Sequence, residues 1–77
     1  MLEVTLITAQ RTIFRGAAKS VVLPGEGGVF EITPFHVNII SRLISGYIII
    51  DDRNSFIIKR GVVKLEKNKA TIIVEEP

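Results

Sequence analysis

The stretch LPGEGGVFEITPFHVNII (Leu23–Ile40) predicts the fold class, because it alternates short apolar segments with strong turn signals. Pro24-Gly25 marks a tight turn, and the glycines that follow supply backbone conformations that other residues rarely adopt. Val29–Ile32 then alternates its side chains between two faces with the period of a β-strand. Pro34 ends this segment, since proline cannot donate to a strand ladder. The stretch therefore predicts a strand, a turn, a second strand and a shaped loop.

The rest of the chain repeats this pattern of short strands separated by turns. Leu2, Val4 and Leu6 alternate on one face of a first strand, and no segment of ten or more residues shows a helical period. The predicted strands are Leu2–Thr8, Thr12–Phe14, Lys19–Leu23, Val29–Ile32, Tyr47–Ile50, Phe56–Lys59, Val62–Glu66 and Ala70–Glu75. Residues expected to shape turns, bulges or kinks are Gly16, Pro24, Gly25, Gly28, Pro34, Gly46 and Gly61. This pattern predicts an all-β fold with one domain over residues 1–77, a small flattened β-sandwich or barrel of eight to ten short strands.

Two features of this prediction concern individual segments. Val37–Ile44 is compatible with an irregular strand or with a helical turn. Phe30 and Ile32 are expected in the core and Val29 and Glu31 on the opposite face. Of the other aromatic residues, Phe14 and Phe56 are expected in the core, and Phe35 and Tyr47 are candidates for exposure.

The composition supports a β fold with a partner. Isoleucine, valine and threonine make up 26 of the 77 residues, and β-branched side chains pack well on pleated sheets. The apolar fraction is 47%, more than a domain of this size is expected to bury alone. The chain has no cysteine, so it can form neither a disulfide nor a thiolate metal site. Its longest apolar stretch, Ile39–Ile50, is interrupted by Arg42 and is shorter than the roughly 20 residues of a membrane span. We expect a chain that has no membrane span and is either cytosolic or peripheral to something on the cytosolic side.

The residues of the sequence give little support for a catalytic site or a metal site. His36 is the only histidine, and none of the serines lies in a nucleophile motif. Asp51 and Asp52 would point to opposite faces of a strand, so we interpret them as turn residues whose carboxylates bond the local backbone. We therefore expect a chain that is not an enzyme and has no cofactor, metal site or catalytic residue.

Phosphate and nucleic-acid binding are weakly indicated. The segment GEGGVF (Gly25–Phe30) departs from the dinucleotide-binding glycine pattern at its last position, and no Lys-Ser/Thr follows as in a P-loop. The ten basic residues are scattered and do not interleave with the aromatic ones, so we expect no nucleic-acid partner. A small nucleic-acid-binding β-barrel stays open as the alternative function.

Three segments, in the same order along the chain, resemble the epsilon subunit of F-type ATP synthases. They are FRG at Phe14–Gly16, SVVLPGEGGVFEITPFHVNIISRLISGYI at Ser20–Ile48, and RGVVKLEKNKATIIVEE at Arg60–Glu76. The family's amino-terminal β-sandwich shows F-x-G, then V-x-x-P-G-x-x-G-x-F-G-I-L-P-G-H-A-P-L, then L-x-x-G-x-I and G-G-x-L-E-V-x-x-N-x-V-T-I-L-A. The matching positions are Phe14, Gly16, Val22, Pro24, Gly25, Gly28, Phe30, Ile32, Pro34, His36, Leu43, Gly46, Ile48, Gly61, Asn68, Thr71 and Ile72.

The chain departs from the family pattern near the loop. Glu31 and Phe35 replace two glycines, Val37-Asn38 replaces Ala-Pro, and Arg60 replaces the first glycine of a pair. Val29 stands where many relatives carry an acidic residue that faces the membrane ring. These departures bear on the loop shape and the partner contacts.

The resemblance implies a non-catalytic rotor subunit in the central stalk. Its partners would be the gamma subunit and the ring of membrane c subunits, and it would help couple ion translocation to ATP synthesis. It would sit peripherally at the cytoplasmic face of the inner membrane. We hypothesise that the contacts with gamma or the ring lie at Val29, Glu31, Thr33, Phe35, His36 and Arg42.

Two further expectations follow from the resemblance and the composition. Family members usually continue into a carboxy-terminal helical hairpin that these 77 residues do not contain, and a native short form and a fragment both stay open. Exposed apolar strands would also let the isolated chain self-associate.

Overall fold

The computed structural model describes all 77 residues, Met1 to Pro77, and consists of strands, turns and loops without a helix. It has nine strands: β1 (Leu2–Ile7), β2 (Thr12–Ala18), β3 (Val21–Gly25), β4 (Gly28–Ile32), β5 (Ile39–Leu43), β6 (Gly46–Ile50), β7 (Asn54–Ile58), β8 (Arg60–Glu66) and β9 (Lys69–Glu75). The predicted all-β class and the strand number are confirmed. No helix is present that could cross a membrane.

The strands form one strongly curled sheet, a half-barrel. Its order is β2-β1-β9-β8-β5-β3-β6-β7, and β4 pairs with β3 beside this path. Only β1 and β9 are parallel. β3 joins the two halves of the sheet, since it pairs with β5 at Gly25 alone and with β6 at Val21 and Val22. The ends of the path approach each other, and the rings of Phe14 on β2 and Phe56 on β7 lie 6.2 Å apart.

The core lies inside the curl and follows the alternation of the sequence. On β1, the side chains of Leu2, Val4 and Leu6 are buried, as predicted. Sixteen buried apolar side chains form one cluster, and no polar or charged side chain is buried. Phe14, Phe30 and Phe56 pack against this cluster and are half-buried. Burial of each large aliphatic side chain contributes about 1.5–3 kcal/mol, so the core is the main source of stability.

The ambiguous segment Val37–Ile44 contains a strand. β5 pairs with β8 over five residues, from Ile39 opposite Leu65 to Leu43 opposite Gly61. The backbone partners of β5 therefore lie 18 to 26 residues away in the chain. Local sequence cannot show them, which is why the segment was compatible with a helical turn.

Gly16 does not form the predicted bulge or corner. It lies inside β2 and pairs with Val4, and the irregularity in this ladder falls between Leu6 and Ile7. Strand β2 continues through Gly16, so the prediction that this glycine interrupts the strand was wrong.

Gly61 does not mark the predicted kink either. It lies inside β8, between Leu43 of β5 and Val74 of β9, and the chain bends at Lys59 instead. A Cβ at Gly61 would lie 2.6 Å from the carbonyl oxygen of Ile73. The glycine is therefore required by the close approach of β9, and not by a turn.

The turn predicted at Pro24-Gly25 lies two residues later in the chain. Pro24 and Gly25 belong to β3, the turn is formed by Glu26 and Gly27, and Gly28 begins β4 with a φ of 127°. Pro34 forms a turn together with Phe35 after β4.

Gly46 begins β6 with a φ of 155°, and a Cβ there would lie 2.9 Å from the Cβ of Pro24. Packing between β3 and β6 thus excludes a side chain at Gly46.

Candidate partner-binding surface

The loop Thr33–Asn38 connects β4 to β5 at one end of the half-barrel. The backbone N–H of His36 donates a hydrogen bond to the carbonyl oxygen of Thr33 at 3.2 Å, which closes the turn through Pro34. His36 Nδ1 lies 2.8 Å from the carbonyl oxygen of Val37. His36 thus contacts local backbone, and its ring has no hydrogen bond or ion pair to a carboxylate.

This loop is attached to the turn between β8 and β9 by two asparagine side chains. Asn68 Oδ1 accepts a hydrogen bond from the backbone N–H of Phe35 at 2.7 Å. Asn38 Oδ1 accepts one from the backbone N–H of Lys67 at 3.1 Å. The bonds run in opposite directions between the two segments, so each orders the other. We call Thr33–Asn38 together with Lys67–Asn68 the docking tip.

The docking tip exposes large apolar side chains. Phe35 is 89% exposed and has a φ of 66°, and Val37 is 74% exposed. Exposed apolar side chains at a well-ordered loop are typical of a contact with a partner. The candidate exposure of Phe35 is confirmed, as is that of Tyr47, at 57%.

Val29 and Glu31 lie on the outward side of β4, which leads into the docking tip. Val29 is 76% exposed, Glu31 is also exposed, and Ile32 between the strand and the loop is buried. Four of the six predicted contact residues, Glu31, Thr33, Phe35 and His36, therefore lie on or beside the docking tip. Val29 lies at the other end of β4, opposite Pro24 of β3.

Arg42 lies apart from the other predicted contact residues. It stands near the end of β5, opposite Val62 of β8, whereas the docking tip precedes the start of β5. There it lines an open cleft of about 930 Å³ together with Ile44, Val62 and Ile73. Arg42 thus belongs to a second surface.

This second surface is the outward side of β5, β8 and β9, which we call the outer face and define by Ile40, Arg42, Val62 and Ile73. The register places Arg42 opposite Val62 and Val62 opposite Ile73. The exposed fractions are 74% for Ile40, 48% for Ile73 and 37% for Val62. The sequence analysis did not predict Ile40, Val62 and Ile73 as contact residues. The available signal was a β-branched residue at a strand position that alternates with the core positions. Ile73, for example, lies between buried Ile72 and Val74.

Charged residues border the cleft beside the outer face. Arg11 forms two hydrogen bonds with the Glu76 carboxylate, at 3.0 and 2.8 Å, and Arg60 Nε lies 2.7 Å from Glu75 Oε2. The hydrogen bond from Arg11, with its positive charge, lowers the pKa of Glu76, and the same contact raises the pKa of Arg11. All four side chains are exposed, so each pair contributes little to stability.

The aspartates after β6 lie in a turn, as predicted, but their carboxylates do not bond the local backbone. Asp51 Oδ1 accepts hydrogen bonds from the backbone N–H groups of Lys19 at 2.6 Å and Ser20 at 3.1 Å. These donors lie more than 30 residues away, so the prediction of a bond to local backbone was wrong for Asp51. The structure contains no group of three histidine, cysteine, aspartate or glutamate residues that could hold a metal ion.

Comparison with known proteins identifies the family. The family model for the ATP synthase, Delta/Epsilon chain, beta-sandwich domain matches residues 1–76. The ATP synthase epsilon chain of a Nitratiruptor species is 37% identical over 78 residues, which cover 96% of this chain and 60% of that relative. The epsilon chain of Campylobacter curvus is 35% identical with the same coverage. The chain thus spans about 60% of the length of these curated relatives.

Solved structures show the same fold at low sequence identity. A chain in the Tetrahymena thermophila mitochondrial ATP synthase central stalk/c-ring structure superposes with a TM-score of 0.82 at 20% identity, covering 97% of this chain and 63% of that one. A chain in the Euglena gracilis mitochondrial ATP synthase structure has a TM-score of 0.86 at 14% identity, covering 97% of this chain and 51% of that one.

The resemblance of the three ordered segments is thereby confirmed, and with a family model that matches all but the last residue, the chain belongs to the ATP synthase delta/epsilon chain β-sandwich family.

Proposed function

We propose that this chain is a non-catalytic subunit of the central stalk of an F-type ATP synthase. It binds the gamma subunit and the ring of c subunits, and it transmits torque between ion translocation and ATP synthesis. Its location is peripheral, at the cytoplasmic face of the inner membrane, where the complex holds it. Family membership and the names of its relatives, ATP synthase epsilon chains, support this proposal. They lend no support to a nucleic-acid-binding module.

The observation that carries the proposal is the division of exposed apolar side chains between two surfaces on a rigid scaffold. The outer face offers aliphatic side chains on three neighbouring strands, with Arg42 at its edge. The docking tip offers Phe35 and Val37, and Val29 is exposed on the adjoining strand β4. A subunit that transmits torque between two partners needs two such surfaces and little internal flexibility, and a close-packed β core provides the stiffness.

We assign the outer face to gamma, because it is the broader surface and lies on hydrogen-bonded strands that cannot rearrange separately. The docking tip and β4 are assigned to the c-ring. In the isolated chain, the outer face would be free, and we expect weak self-association through it.

A matched pair of substitutions tests the assignment of the outer face. Ile73→Glu on β9 should weaken binding to purified gamma by about tenfold or more, because a charge would be buried against apolar surface. Ile57→Glu on β7 is the control, since Ile57 has nearly the same exposure, 52% against 48%, but lies outside the outer face. Equal binding of the two variants would contradict the assignment.

A second test concerns the c-ring. Alanine at Val29, Glu31 and His36 together should weaken assembly with the ring while thermal unfolding stays close to that of the unchanged chain. Unchanged assembly would refute the contact surface on β4 and the docking tip.

A further inference from the structure

Phe35 combines an unfavourable backbone conformation with a side chain that the fold does not use. Its φ of 66° lies in the left-handed region, which is costly for a bulky residue. The ring is 89% exposed, so burial within this chain does not offset that cost. A strained residue persists only where its surroundings enforce the conformation, and such residues cluster at functional positions.

The surroundings of Phe35 enforce its conformation through the turn between β8 and β9. The backbone N–H of Phe35 donates to Asn68 Oδ1 at 2.7 Å. Asn68 is itself held, since its carbonyl oxygen accepts a hydrogen bond from the backbone N–H of Glu3 at 2.8 Å. Lys67 and Asn68 have φ values of 50° and 63°, and Asn38 bonds the N–H of Lys67. Residues from three parts of the chain thus fix the backbone of Phe35, and with it the direction of the Cα–Cβ bond that carries the exposed ring.

We propose that Phe35 is the anchor residue of the docking tip, and that its ring inserts into an apolar slot between neighbouring loops of the c-ring. Asn68 is a positioning residue that acts through Phe35. This inference rests on the proposed function, because it specifies the contact that the docking tip makes with the ring.

The rigidity of the docking tip favours a protein slot over a lipid surface as the occupant. A protein slot accepts an aromatic ring from one direction, so fixing the backbone that carries the ring reduces the entropy lost on binding. A fluid bilayer accepts the ring in many orientations and would not require a strained, clamped backbone. Buried aromatic anchors also dominate the energetics of protein interfaces. Glu31, exposed on β4 two residues before Thr33, supplies a less critical contact beside the anchor.

The test measures binding of the chain, in complex with gamma, to detergent-solubilised c-ring. Phe35→Ala and Phe35→Gly should both weaken binding about 10- to 30-fold, the loss expected for an aromatic anchor. Phe35→Gly should also raise the Tm of the chain by about 2–5 °C, since glycine relieves the left-handed strain. Tyr47→Ala is the matched control, because it removes another exposed aromatic ring outside the docking tip. Its binding should stay within about twofold of the unchanged chain.

The role of Asn68 is tested by a double-mutant cycle. Asn68→Ala should weaken ring binding and speed exchange of the Phe35 amide hydrogen. In the Phe35→Ala background it should cause no further loss of binding, because it acts only through the ring of Phe35. Fully additive losses would overturn the positioning role.

Several results would overturn the anchor. One is binding of both Phe35 variants within twofold of the unchanged chain. Another is a large loss for alanine but none for glycine, which would show that backbone conformation and not the ring matters. A third is unchanged ring binding combined with weaker binding to anionic lipid vesicles, which would assign Phe35 to a membrane surface. If the unchanged chain with gamma fails to bind the ring at all, the proposed function itself fails, so the two failures are distinguishable.

Discussion

Replacement of Asp51 by alanine should destabilise the domain far more than its place in a surface turn suggests. Asp51 Oδ1 accepts two backbone hydrogen bonds from the segment between β2 and β3, and its own N–H donates to the carbonyl oxygen of Ser20 at 3.0 Å. The side chain is half-buried, so we take about 1 kcal/mol for each accepted bond, the typical net value for a hydrogen bond. The expected loss is about 2 kcal/mol, or about 8–16 °C in Tm for a domain of this size.

The assay is thermal unfolding followed by far-ultraviolet circular dichroism, and Asp52 supplies the control. Asp52 has the same φ of 55° as Asp51 but is exposed and makes no side-chain hydrogen bond. Asp52→Ala should therefore change the free energy of unfolding by only about 0.5 kcal/mol. Asp51→Asn should fall between the two, since an amide oxygen can still accept. Equal losses for the two alanine variants would refute the reasoning, because turn conformation alone would then explain the effect.

Three further predictions concern packing, the core and an ion pair. Gly46→Ala should lower stability by about 2–3 kcal/mol in chemical denaturation, because the new Cβ clashes with β3, whereas Gly27→Ala, with no heavy atom near its Cβ, should be nearly neutral. Ile48→Ala removes a fully buried side chain and should cost about 2–5 kcal/mol; a smaller loss would show that the core collapses around the cavity. Glu76→Gln should cause a small loss of Tm at neutral pH. Because Arg11 lowers the pKa of Glu76 in the folded state, this difference should be complete above the ordinary pKa of glutamate and vanish as the pH falls through the lowered value. A difference that persists in acid would contradict the ion pair as its cause.

Strand positions were the most predictable part of the fold. The alternation of Leu2, Val4 and Leu6 predicted both β1 and its buried side, and the same rule separated Val29 from Ile32 on β4. Alternation is read from neighbours in sequence, so it needs no knowledge of the partner strand. Glycines predicted strand breaks less reliably. Gly61 was expected to mark a kink, but a glycine is needed there because a Cβ would collide with the backbone of β9.

The candidate site was predictable in part. The loop around Phe35 was indicated by its prolines, its glycine-rich approach and its resemblance to a known family. Arg42 was included among the contact residues for its charge, but β5 places it opposite Val62 of β8, on the outer face. The outer face was not predicted, because it exists only where β5, β8 and β9 lie side by side.

The amino-acid sequence by itself determined the all-β class, the approximate strands, the inward side of most strands and the family. These properties depend on local alternation, on β-branched side chains and on an ordered set of motif residues. Only the tertiary structure decided that Asp51 holds the segment at Lys19 and Ser20, and that Asn68 holds Phe35. Both bonds join residues more than 30 positions apart. Their formation depends on the order and register of the whole curled sheet, because a polar side chain has many possible partners until packing brings one of them within hydrogen-bonding distance.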